Sequence, residues 1–556
     1  MVMNILYFTE TCLSVGHNKS ETSSDYVNCI VTSLQSSILF MSVNNLPFEI
    51  LARIADFIPA RDRSTCILIC KTWLMAFLKS SWKEISISNK NLRCIGRIRM
   101  SDEKFDEKYG RHVRSLTLQP QLKATLKQLY SLQRRFQHIR RLSIQVGGLK
   151  FTKNNQIVDW SRWKLLVDLS IFVDNGYLEY SRTKILSALS HLPLLHRLTL
   201  QGKIGNTWTF LDWSDFEKIH TMLPKLEYLS TNIYLWEITA TEVASLAKIK
   251  PANNLKYLEV TLINTEHRWL VYFARKYPNA HTVVCSTGCR REKNALFQDE
   301  LASLLAGIPD IFPRLHTVDL VGFDMNPSCS VTLWSFFCNP SIRIKSSTAG
   351  VRINEPMPDS VQYFVDKSLN AYSKTLEDAQ IVISSYANQV FTTLTFNPYP
   401  HLVTLSARMS CVNIELDLLL TQCPVLRQVH IVEGTLTLSP GASKICEPHG
   451  LYHFSLHNAT IPPEAMNYLS FRCKSIRRMC LHKTVMDEGA FKDDGTVSLD
   501  MPYTRLWLVQ RSPTVTYPQR YYVENKLLFE VERDTKTYDT RLKELDIDNI
   551  LICIWE

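Results

Sequence analysis

The sequence lacks any apolar run of the roughly 18 to 20 residues that a membrane-spanning helix requires. It also lacks a basic segment at its start, and Thr9, Glu10 and Thr11 interrupt the mildly apolar opening MVMNILYFTETCLSVG. A secretory signal begins with positive charge before its apolar stretch. We therefore predict neither a membrane span nor a secretory signal, and no membrane partner. Residues 1–40 are predicted to be a disordered extension, because 14–28 are polar.

The motifs that mark common catalytic sites are missing as well. There is no glycine-rich phosphate loop of the Walker type and no nucleophile elbow. Cys285-x-x-x-Cys289 has no second cysteine pair to complete a zinc site. His453-x-x-x-His457 lacks a metalloprotease glutamate and falls in a predicted strand, where such spacing does not form one helical face. We predict a chain that is not an enzyme and that uses neither metal nor cofactor.

Cysteine is present but scattered. The 15 cysteines include Cys66, Cys70 and Cys480, which lie inside apolar helix or strand patterns. Buried, unpaired thiols of this kind are typical of the reducing interior of the cell. We expect an intracellular protein, in the cytoplasm, the nucleus or both.

Positive charge is in excess but is not concentrated. The formal net charge is +10, and the basic residues form short pairs such as Arg134–Arg135 and Arg477–Arg478. Such an excess favours acidic partners, namely nucleic acid, phosphopeptides or acidic tails. The alternative is the solvated surface of a large protein, and the absence of an aromatic-basic motif argues against nucleic acid.

A compact helical block is predicted near the start, in LPFEILARIADFIPARDRSTCILICKTW. Asn44–Asn45 and Pro47 predict a helix start, and Pro59 predicts its end. Asp62 is expected to cap a second helix, with apolar residues at helical spacing from Cys66 to Phe77. So small a block buries little core and needs a partner, either the rest of the chain or another protein.

The residues of this block resemble the F-box, a helical motif that docks on a Skp-type adaptor in cullin-RING ubiquitin ligases. The matching positions are Leu46-Pro47-x-Glu49-Ile50-Leu51-x-x-Ile54, Asp62, Cys66, Ile69-Cys70-Lys71-x-Trp73 and Trp82-x-x-Ile85. Arg63 departs from the pattern, since many members carry an aliphatic residue there. The resemblance implies that the adaptor is contacted by Leu46, Pro47, Ile50, Leu51 and Ile54, whereas Cys70 and Trp73 hold the small core. The alternative is that all of them are core of one larger domain.

The rest of the chain repeats a short pattern. Segments of the form Leu-x-Leu recur at intervals of 24 to 31 residues, from Leu116–Leu118 to Leu258–Val260 and again from Leu405–Ala407 to Leu506–Leu508. Amphipathic stretches that end at a proline precede many of them. Helix, turn, strand and loop at a fixed period indicate a solenoid. The pattern resembles degenerate leucine-rich repeats of the ribonuclease-inhibitor kind, often found behind an F-box, and the resemblance implies a curved horseshoe. Residues 322–390 show no clean repeat, and 345–360 are predicted to be an exposed loop.

Side chains alternate along a strand, so the residues between the core leucines face outward. A basic-aromatic patch is predicted there on the later repeats, since arginine and tryptophan are enriched in binding hot spots. Its members are Arg408, His430, His457, Arg478, His482, Arg505 and Trp507. The alternative is a solvated strand face with Trp507 buried by the C-terminal cap.

The sequence thus predicts an α/β chain with a disordered extension (1–40), an F-box (41–88) and a leucine-rich-repeat solenoid (89–556) with an irregular segment near 322–390. The expected function is that of a substrate-recognition adaptor in a Skp-cullin-F-box ubiquitin ligase. Its expected partners are a Skp-type adaptor, through it a cullin-RING complex, and an unknown target protein. The alternatives are a protein-binding scaffold without a ligase role and, less favoured, a basic nucleic-acid binder.

Overall fold

The structure, a computed structural model of the chain, describes residues 46–88, 109–119, 126–144, 159–173, 178–202, 210–262, 266–287, 308, 311–323, 337, 342–353, 358–385, 392–410, 412–442, 447–482, 484–486, 497–499, 508–511, 521–523 and 526–529. The predicted extension over residues 1–40 lies outside them. Contacts divide the chain into two compact units, Met1–Tyr234 and Leu235–Glu556.

From Leu46 onward, the described residues of the first unit form three helices and then strands separated by helices. Two short 3-10 helices, Gly110–His112 and Trp160–Trp163, precede β2 and β4. In chain order the regular elements are α1 (Phe48–Phe57), α2 (Ala60–Cys66), α3 (Lys71–Lys83), β1 (Glu84–Ile87), β2 (Ser115–Leu118), α4 (Leu126–Arg135), β3 (Arg141–Ile144), β4 (Asp168–Val173), α5 (Leu178–Leu189), β5 (Arg197–Gly202), β6 (Phe210–Leu211), α6 (Trp213–Met222) and β7 (Tyr228–Thr231). A two-residue strand, β8 (Tyr234–Leu235), lies at the division between the units.

The second unit repeats the same alternation. It includes one 3-10 turn, Asn370–Tyr372. Its elements are α7 (Ala240–Leu246), β9 (Tyr257–Leu262), α8 (Glu266–Lys276), β10 (Thr282–Thr287), β11 (Thr317–Phe323), β12 (Ser346–Ile353), α9 (Pro358–Leu369), β13 (Asp378–Ser385), β14 (Thr392–Leu394), β15 (Thr404–Met409), β16 (Val412–Glu415), α10 (Leu416–Gln422), β17 (Gln428–Val432), β18 (Thr435–Thr437), β19 (His453–His457), β20 (Thr460–Ile461), α11 (Pro463–Arg472), β21 (Arg478–His482), β22 (Val485–Met486), β23 (Val497–Leu499), β24 (Leu508–Arg511), β25 (Tyr521–Val523) and β26 (Lys526–Phe529).

The long strands of each unit pair in parallel, and the register shifts once in the β11–β12 pair, between Leu320 and Phe323. In the first unit the order is β1-β2-β3-β4-β5-β7, and in the second it is β9-β10-β11-β12-β13-β15-β17-β19-β21-β24. The predicted apolar positions fall on the buried face, as at Leu116 and Leu118 in β2 or Leu198 and Leu200 in β5. No single repeat can bury that face, so neighbouring repeats share one core. Each unit is therefore an α/β leucine-rich-repeat solenoid, as predicted.

Several repeat helices end just before a proline, as the sequence predicted. α5, α6, α8 and α10 all finish shortly before the proline that opens the next turn. In the described turns, the leucine two residues after the proline is buried, as are Leu195, Leu226 and Leu426. Successive helices are also joined: Arg182 on α5 forms ion pairs with Asp212 and Asp215, which cap the start of α6. Sequence periodicity predicted this helix–turn–strand order correctly.

Residues 322–390 are more regular than the sequence suggested. Ser346–Ile353 and Asp378–Ser385 form β12 and β13, and their eight residues pair one to one. The loop predicted for 345–360 is therefore wrong over β12 and at the start of α9. The pattern was missed because β12 has Ser347 and Ala349 at the core positions where other strands carry leucine.

Two further features differ from the predicted organisation. β1 pairs in parallel with β2, so the repeat sheet begins at Glu84 rather than after residue 88. The second unit also contains a second parallel sheet, in the order β14-β16-β18-β20-β22, where the sequence predicted loops. These strands have only two to four residues, too few to show an alternating pattern.

Candidate functional site

The helical block encloses a small core of its own. Leu51 and Ala55 from α1 pack with Ala76 and Phe77 from α3, and all four are fully buried. The Trp73 ring stacks on Phe77, with ring centroids 4.9 Å apart. The expectation that Trp73 contributes to this core is confirmed.

The prediction that Leu51 faces an adaptor is wrong. Its side chain has no exposed surface, because it points between α1 and α3. Leu46 and Ile54 are half-buried and lie against the same core, whereas Pro47 and Ile50 are exposed. A surface partner can therefore reach Pro47 and Ile50 fully, Leu46 and Ile54 in part, and Leu51 not at all.

A row of apolar residues, three of them exposed and Ile54 half-buried, runs along one side of α1. Pro47, Ile50, Ile54 and Phe57 follow one another at offsets of three or four residues, which places them on one face of a helix. Ile50 is 45% exposed and Phe57 is 86% exposed. We call these four residues the α1 row. The sequence analysis does not include Phe57 among the adaptor-contacting residues, although Phe57 lies seven residues after Ile50. The predicted set mixes exposed residues of α1 with a core residue, Leu51.

The second and third helices are separated by a turn, which the sequence did not predict. α2 begins at Ala60 after Pro59, so Asp62 lies in its first turn rather than at its cap. Residues 67–69 form the turn, and α3 starts after Cys70. Ile69 and Leu68 consequently point outward, 57% and 69% exposed, instead of continuing a buried stripe.

Arg63, which departs from the F-box pattern, joins the three helices through backbone contacts. Its Nε donates to the carbonyl oxygen of Ile58 at 2.8 Å, and its Nη1 donates to that of Ser80 at 3.2 Å. Its Nη2 donates to the carbonyl oxygen of Asp56 at 3.3 Å. Arg63 therefore forms a polar link from α2 to the end of α1 and to α3.

The second unit carries a basic strand face on β15, β17, β19 and β21. The strand register aligns three alternating positions on each strand, in rows that run across the sheet. We call these twelve residues the basic face: Thr404, Ser406, Arg408, Gln428, His430, Val432, His453, Ser455, His457, Arg478, Cys480 and His482. They include four histidines and two arginines and no carboxylate. Val432 and Ser455 are buried, and the other ten are half-buried or exposed.

Five of the seven predicted patch residues lie on this face, namely Arg408, His430, His457, Arg478 and His482. Arg408, His430 and Arg478 are exposed, and the two other histidines are half-buried.

The two remaining patch residues, Arg505 and Trp507, lie outside the described residues. The predicted register of the last repeat was wrong, because Met479 pairs with Val509 of β24 rather than with Leu506. Gln510 therefore continues the row of Cys480.

His453 is a face residue that the sequence reasoning set aside. It was considered only as a metal ligand, although its position two residues before Ser455 puts it on the outward side of the same strand. In the register it lies between Gln428 and Arg478. The alternation of the strand was the signal that identifies it.

Two close contacts organise the histidines. His430 Nδ1 lies 2.9 Å from Ser455 Oγ on the neighbouring strand, within hydrogen-bond distance. The rings of His457 and His482 stack with centroids 4.1 Å apart and planes 3° from parallel. Both contacts follow from the rows, which place these side chains directly beside one another.

The surroundings disfavour the charged form of two of these histidines. Burial, with His457 and Arg408 as nearby positive groups, lowers the pKa of His430 below its ordinary value. Burial also lowers the pKa of His453, with Arg478 and His430 as further causes. Both rings are therefore mainly neutral near pH 7 and gain charge as the pH falls.

Acidic residues lie on a different part of the same strand face. Glu259 on β9 and Asp319 on β11 both flank Val284 of β10 in the register. Burial raises the pKa of Asp319, and the charge of Glu259 raises it further, against a hydrogen bond from Thr348. The outward side of the second unit thus has an acidic region on β9–β11 and a basic region on β15–β21.

Within the part of the chain that the structure describes, no cluster of three histidine, cysteine or acidic residues could hold a metal ion. None of the six described cysteines forms a disulfide, and burial raises the pKa of Cys285, Cys423 and Cys473 to about 12. No described helix is long and apolar enough to cross a membrane.

Comparisons with known proteins give low similarity. No family model and no curated protein matches the chain. Among solved structures, the yeast complex of Rad7 and Elc1 aligns with a TM-score of 0.32 and 13% identity, over 88% of this chain and 98% of the other. The internalin InlF of Listeria monocytogenes aligns with a TM-score of 0.29 and 10% identity, over 80% of this chain and 95% of the other. Scores this low carry no argument about function, and the fold rests on the strand pairing.

Proposed function

We propose that this chain is a target-binding adaptor of a cullin-RING ubiquitin ligase of the Skp-cullin-F-box type. In this proposal the helical block docks on a Skp-type adaptor, and the repeats bind a target protein. The observation that carries the proposal is the α1 row, where Pro47, Ile50 and Phe57 are exposed on one helix face.

The α1 row leaves apolar side chains exposed to water, which a partner could bury. An apolar side chain that stays exposed forgoes about 1.5 to 3 kcal/mol of burial free energy, the amount that a buried phenylalanine or isoleucine contributes. Isolated exposed apolar residues are ordinary, but an aligned group of them marks an interaction surface. The α1 row has the helical spacing with which one helix enters the groove of a partner. The resemblance of the block to an F-box selects a Skp-type adaptor as that partner.

The proposed role of the chain is to bring other proteins together. Ubiquitin transfer belongs to a ubiquitin-conjugating enzyme held by the cullin-RING complex. A target held by the repeats would meet that enzyme at a raised effective concentration, which increases the rate without any chemistry by this chain.

The test compares two substitutions of similar exposure in the full chain. Ile50→Glu changes a 45% exposed residue of the α1 row, and Val425→Glu changes a 43% exposed residue of the repeats. We expect the wild type and the Val425→Glu variant to co-purify with a purified Skp-type adaptor. The Ile50→Glu variant should lose most or all of its adaptor binding. Phe57→Glu should behave like Ile50→Glu.

Two outcomes would contradict the proposal. If no variant and no wild-type chain bound the adaptor, the block would be only the N-terminal cap of the solenoid. The chain would then be a protein-binding scaffold without a ligase role. If Ile50→Glu and Phe57→Glu bound as well as the wild type, the adaptor would contact another surface.

A further inference from the structure

The basic face differs in charge from the other strands around it. Its twelve positions hold four histidines and two arginines without a carboxylate, although acidic residues make up 53 of the 556 residues of the chain. The neighbouring strand β13 begins with Asp378, which pairs with Thr404 at the edge of the face. Positive and potentially positive groups are therefore gathered on four consecutive strands.

The geometry brings these groups within reach of one ligand. Adjacent strands lie about 4.8 Å apart, so four strands span about 15 Å. Arg408 on β15 and Arg478 on β21 lie at diagonally opposite corners of the face, in different rows. His430, His453 and His457 lie on the two strands between them, and His482 lies on β21 itself. An extended peptide that crosses the strands diagonally can meet both arginines and the imidazoles between them.

We propose that the basic face binds a segment of a partner protein rich in glutamate or aspartate, and that this binding strengthens as the histidines take up protons. The proposal refines the target-binding role proposed above, since it names the chemistry of the target. It does not depend on adaptor docking, because the basic face lies in the second unit and the α1 row lies in the first.

The titrating groups and their neighbours set the sign of the pH dependence. An anion close to His430 or His453 favours the protonated ring, which opposes the lowering by burial and by nearby positive charge. Binding therefore takes up protons, and by linkage the affinity rises as the pH falls. Glutamate side chains keep their charge near pH 6, because their ordinary pKa is about 4.3.

Both rings have charged or titratable neighbours on the adjacent strands. Positive groups come from Arg408 on β15, from His457 on β19, and from Arg478 and His482 on β21. Arg427 and Arg477 lie just before β17 and β21. A carboxylate follows β17 directly: Glu433 accepts a hydrogen bond from the Ser410 hydroxyl.

A protein segment fits this face better than nucleic acid does. Nucleic-acid affinity depends on the number of phosphates that lysine and arginine neutralise, and the face offers two arginines. Its other basic groups are imidazoles, and two of these, His430 and His453, have a pKa below the ordinary value. A short run of carboxylates requires fewer permanent cations and can be matched by imidazoles as they become charged.

The experiment measures binding of a fluorescent glutamate-rich peptide to the full chain by anisotropy, at about pH 7.5 and about pH 6, on the two sides of the ordinary histidine pKa. A glutamine-rich peptide of equal length is the neutral control. A single-stranded oligonucleotide is the third probe and tests for nucleic-acid binding. We expect the acidic peptide to bind several-fold more tightly at the lower pH, since a rise of one pKa unit on binding sets a limit of about tenfold for each histidine. The glutamine-rich peptide should not bind.

Two sets of variants locate the binding. His430→Gln with His453→Gln should abolish most of the pH dependence, and Arg408→Gln with Arg478→Gln should weaken binding at both pH values. The matched control is His281→Gln with His316→Gln, a second histidine pair with ring centroids 5.6 Å apart before β10 and β11. This control should bind like the wild type, and thermal unfolding should confirm that all variants are folded.

The proposal is overturned if the acidic peptide binds without pH dependence or if the control pair and the face pair have equal effects. Absence of binding by a folded chain that still binds the Skp-type adaptor overturns it too and leaves the adaptor role intact. Tighter binding of the oligonucleotide, with a steep salt dependence, would identify a nucleic-acid surface instead.

Discussion

His457 and His482 lie face to face on neighbouring strands, with ring centroids 4.1 Å apart. The neighbouring strands β17 and β19 are also joined by the contact of His430 Nδ1 with Ser455 Oγ, 2.9 Å apart. Each contact holds an imidazole ring of the basic face beside a side chain of the adjacent strand.

The first prediction concerns the stability of the free chain as the pH falls. The pKa values of His430 and His453 are lower in the folded chain than their ordinary value of 6.5. Their contribution to stability is fully present above about pH 6.5 and is lost as the pH falls toward their folded pKa values, because the unfolded chain binds more protons. We expect His430→Gln with His453→Gln to reduce the fall in Tm between about pH 7 and pH 5.5, where histidines titrate.

The size of this effect is small. Both rings keep contact with solvent, which screens the neighbouring charges that lower their pKa. Thermal unfolding of wild type and variant at several pH values measures it. An unchanged pH dependence would show that the two rings are not held in a neutral form.

The second prediction separates the core of the helical block from its surface. Leu51→Ala should destabilise the block by about 2 to 5 kcal/mol, because it leaves a cavity beside Phe77. Ile50→Ala should change stability by less than about 1 kcal/mol, because Ile50 is exposed. Hydrogen exchange of the α1 and α3 amides reports the local difference. Equal effects of the two substitutions would place both side chains in the core.

The third prediction concerns Arg63. Arg63→Leu removes the donors to the carbonyl oxygens of Ile58, Ser80 and Asp56 and should destabilise the block by about 1 to 3 kcal/mol. Arg53→Leu, an exposed arginine of α1, is the matched control and should have little effect. If Arg63→Leu proved neutral or stabilising in hydrogen exchange, the aliphatic residue of the F-box pattern would pack equally well there.

The fourth prediction concerns the tight turn between β17 and β18. Gly434 has φ +77°, and an added Cβ would lie 2.8 Å from the carbonyl oxygen of Met409 and 2.9 Å from that of Val412. Both neighbours are backbone atoms, so the turn itself has to move. Left-handed backbone alone costs a residue with a Cβ about 1 to 2 kcal/mol, and we expect Gly434→Ala to exceed that loss.

Gly441→Ala is the control for the turn, because its Cβ would meet nothing within 4 Å. The two variants are compared by thermal unfolding. A Tm for Gly434→Ala equal to that of Gly441→Ala would mean that the turn accommodates a side chain.

The sequence predicted most of the described repeats where large apolar residues alternate, but Leu506–Leu508 gave the wrong register for the last one. Strands such as β5 and β15 lie where Leu198–Leu200 and Leu405–Ala407 placed them. β12 was not predicted as a strand, because the small residues Ser347 and Ala349 occupy its buried positions. The size of the buried side chains therefore largely determined which strands could be predicted from the sequence.

The sequence alone could predict which strand residues lie on the basic face. It could not predict which side of α1 is exposed. Alternation in the strands was enough to place His430, His457 and His482 on one surface, and it also places His453 there. In α1, adjacent residues Ile50 and Leu51 are both apolar, and sequence alone does not tell which one faces the core. The packing of Phe77 from α3 decides it, and that contact crosses between two helices.

The most direct test of the proposed adaptor role is hydrogen exchange of the full chain with and without a purified Skp-type adaptor. We predict new protection concentrated in α1 and in the turn at Leu68–Ile69, with the basic face unchanged. Protection confined to the repeat strands, or no protection anywhere at an adaptor concentration that saturates a known F-box protein, would contradict the proposed docking of the helical block.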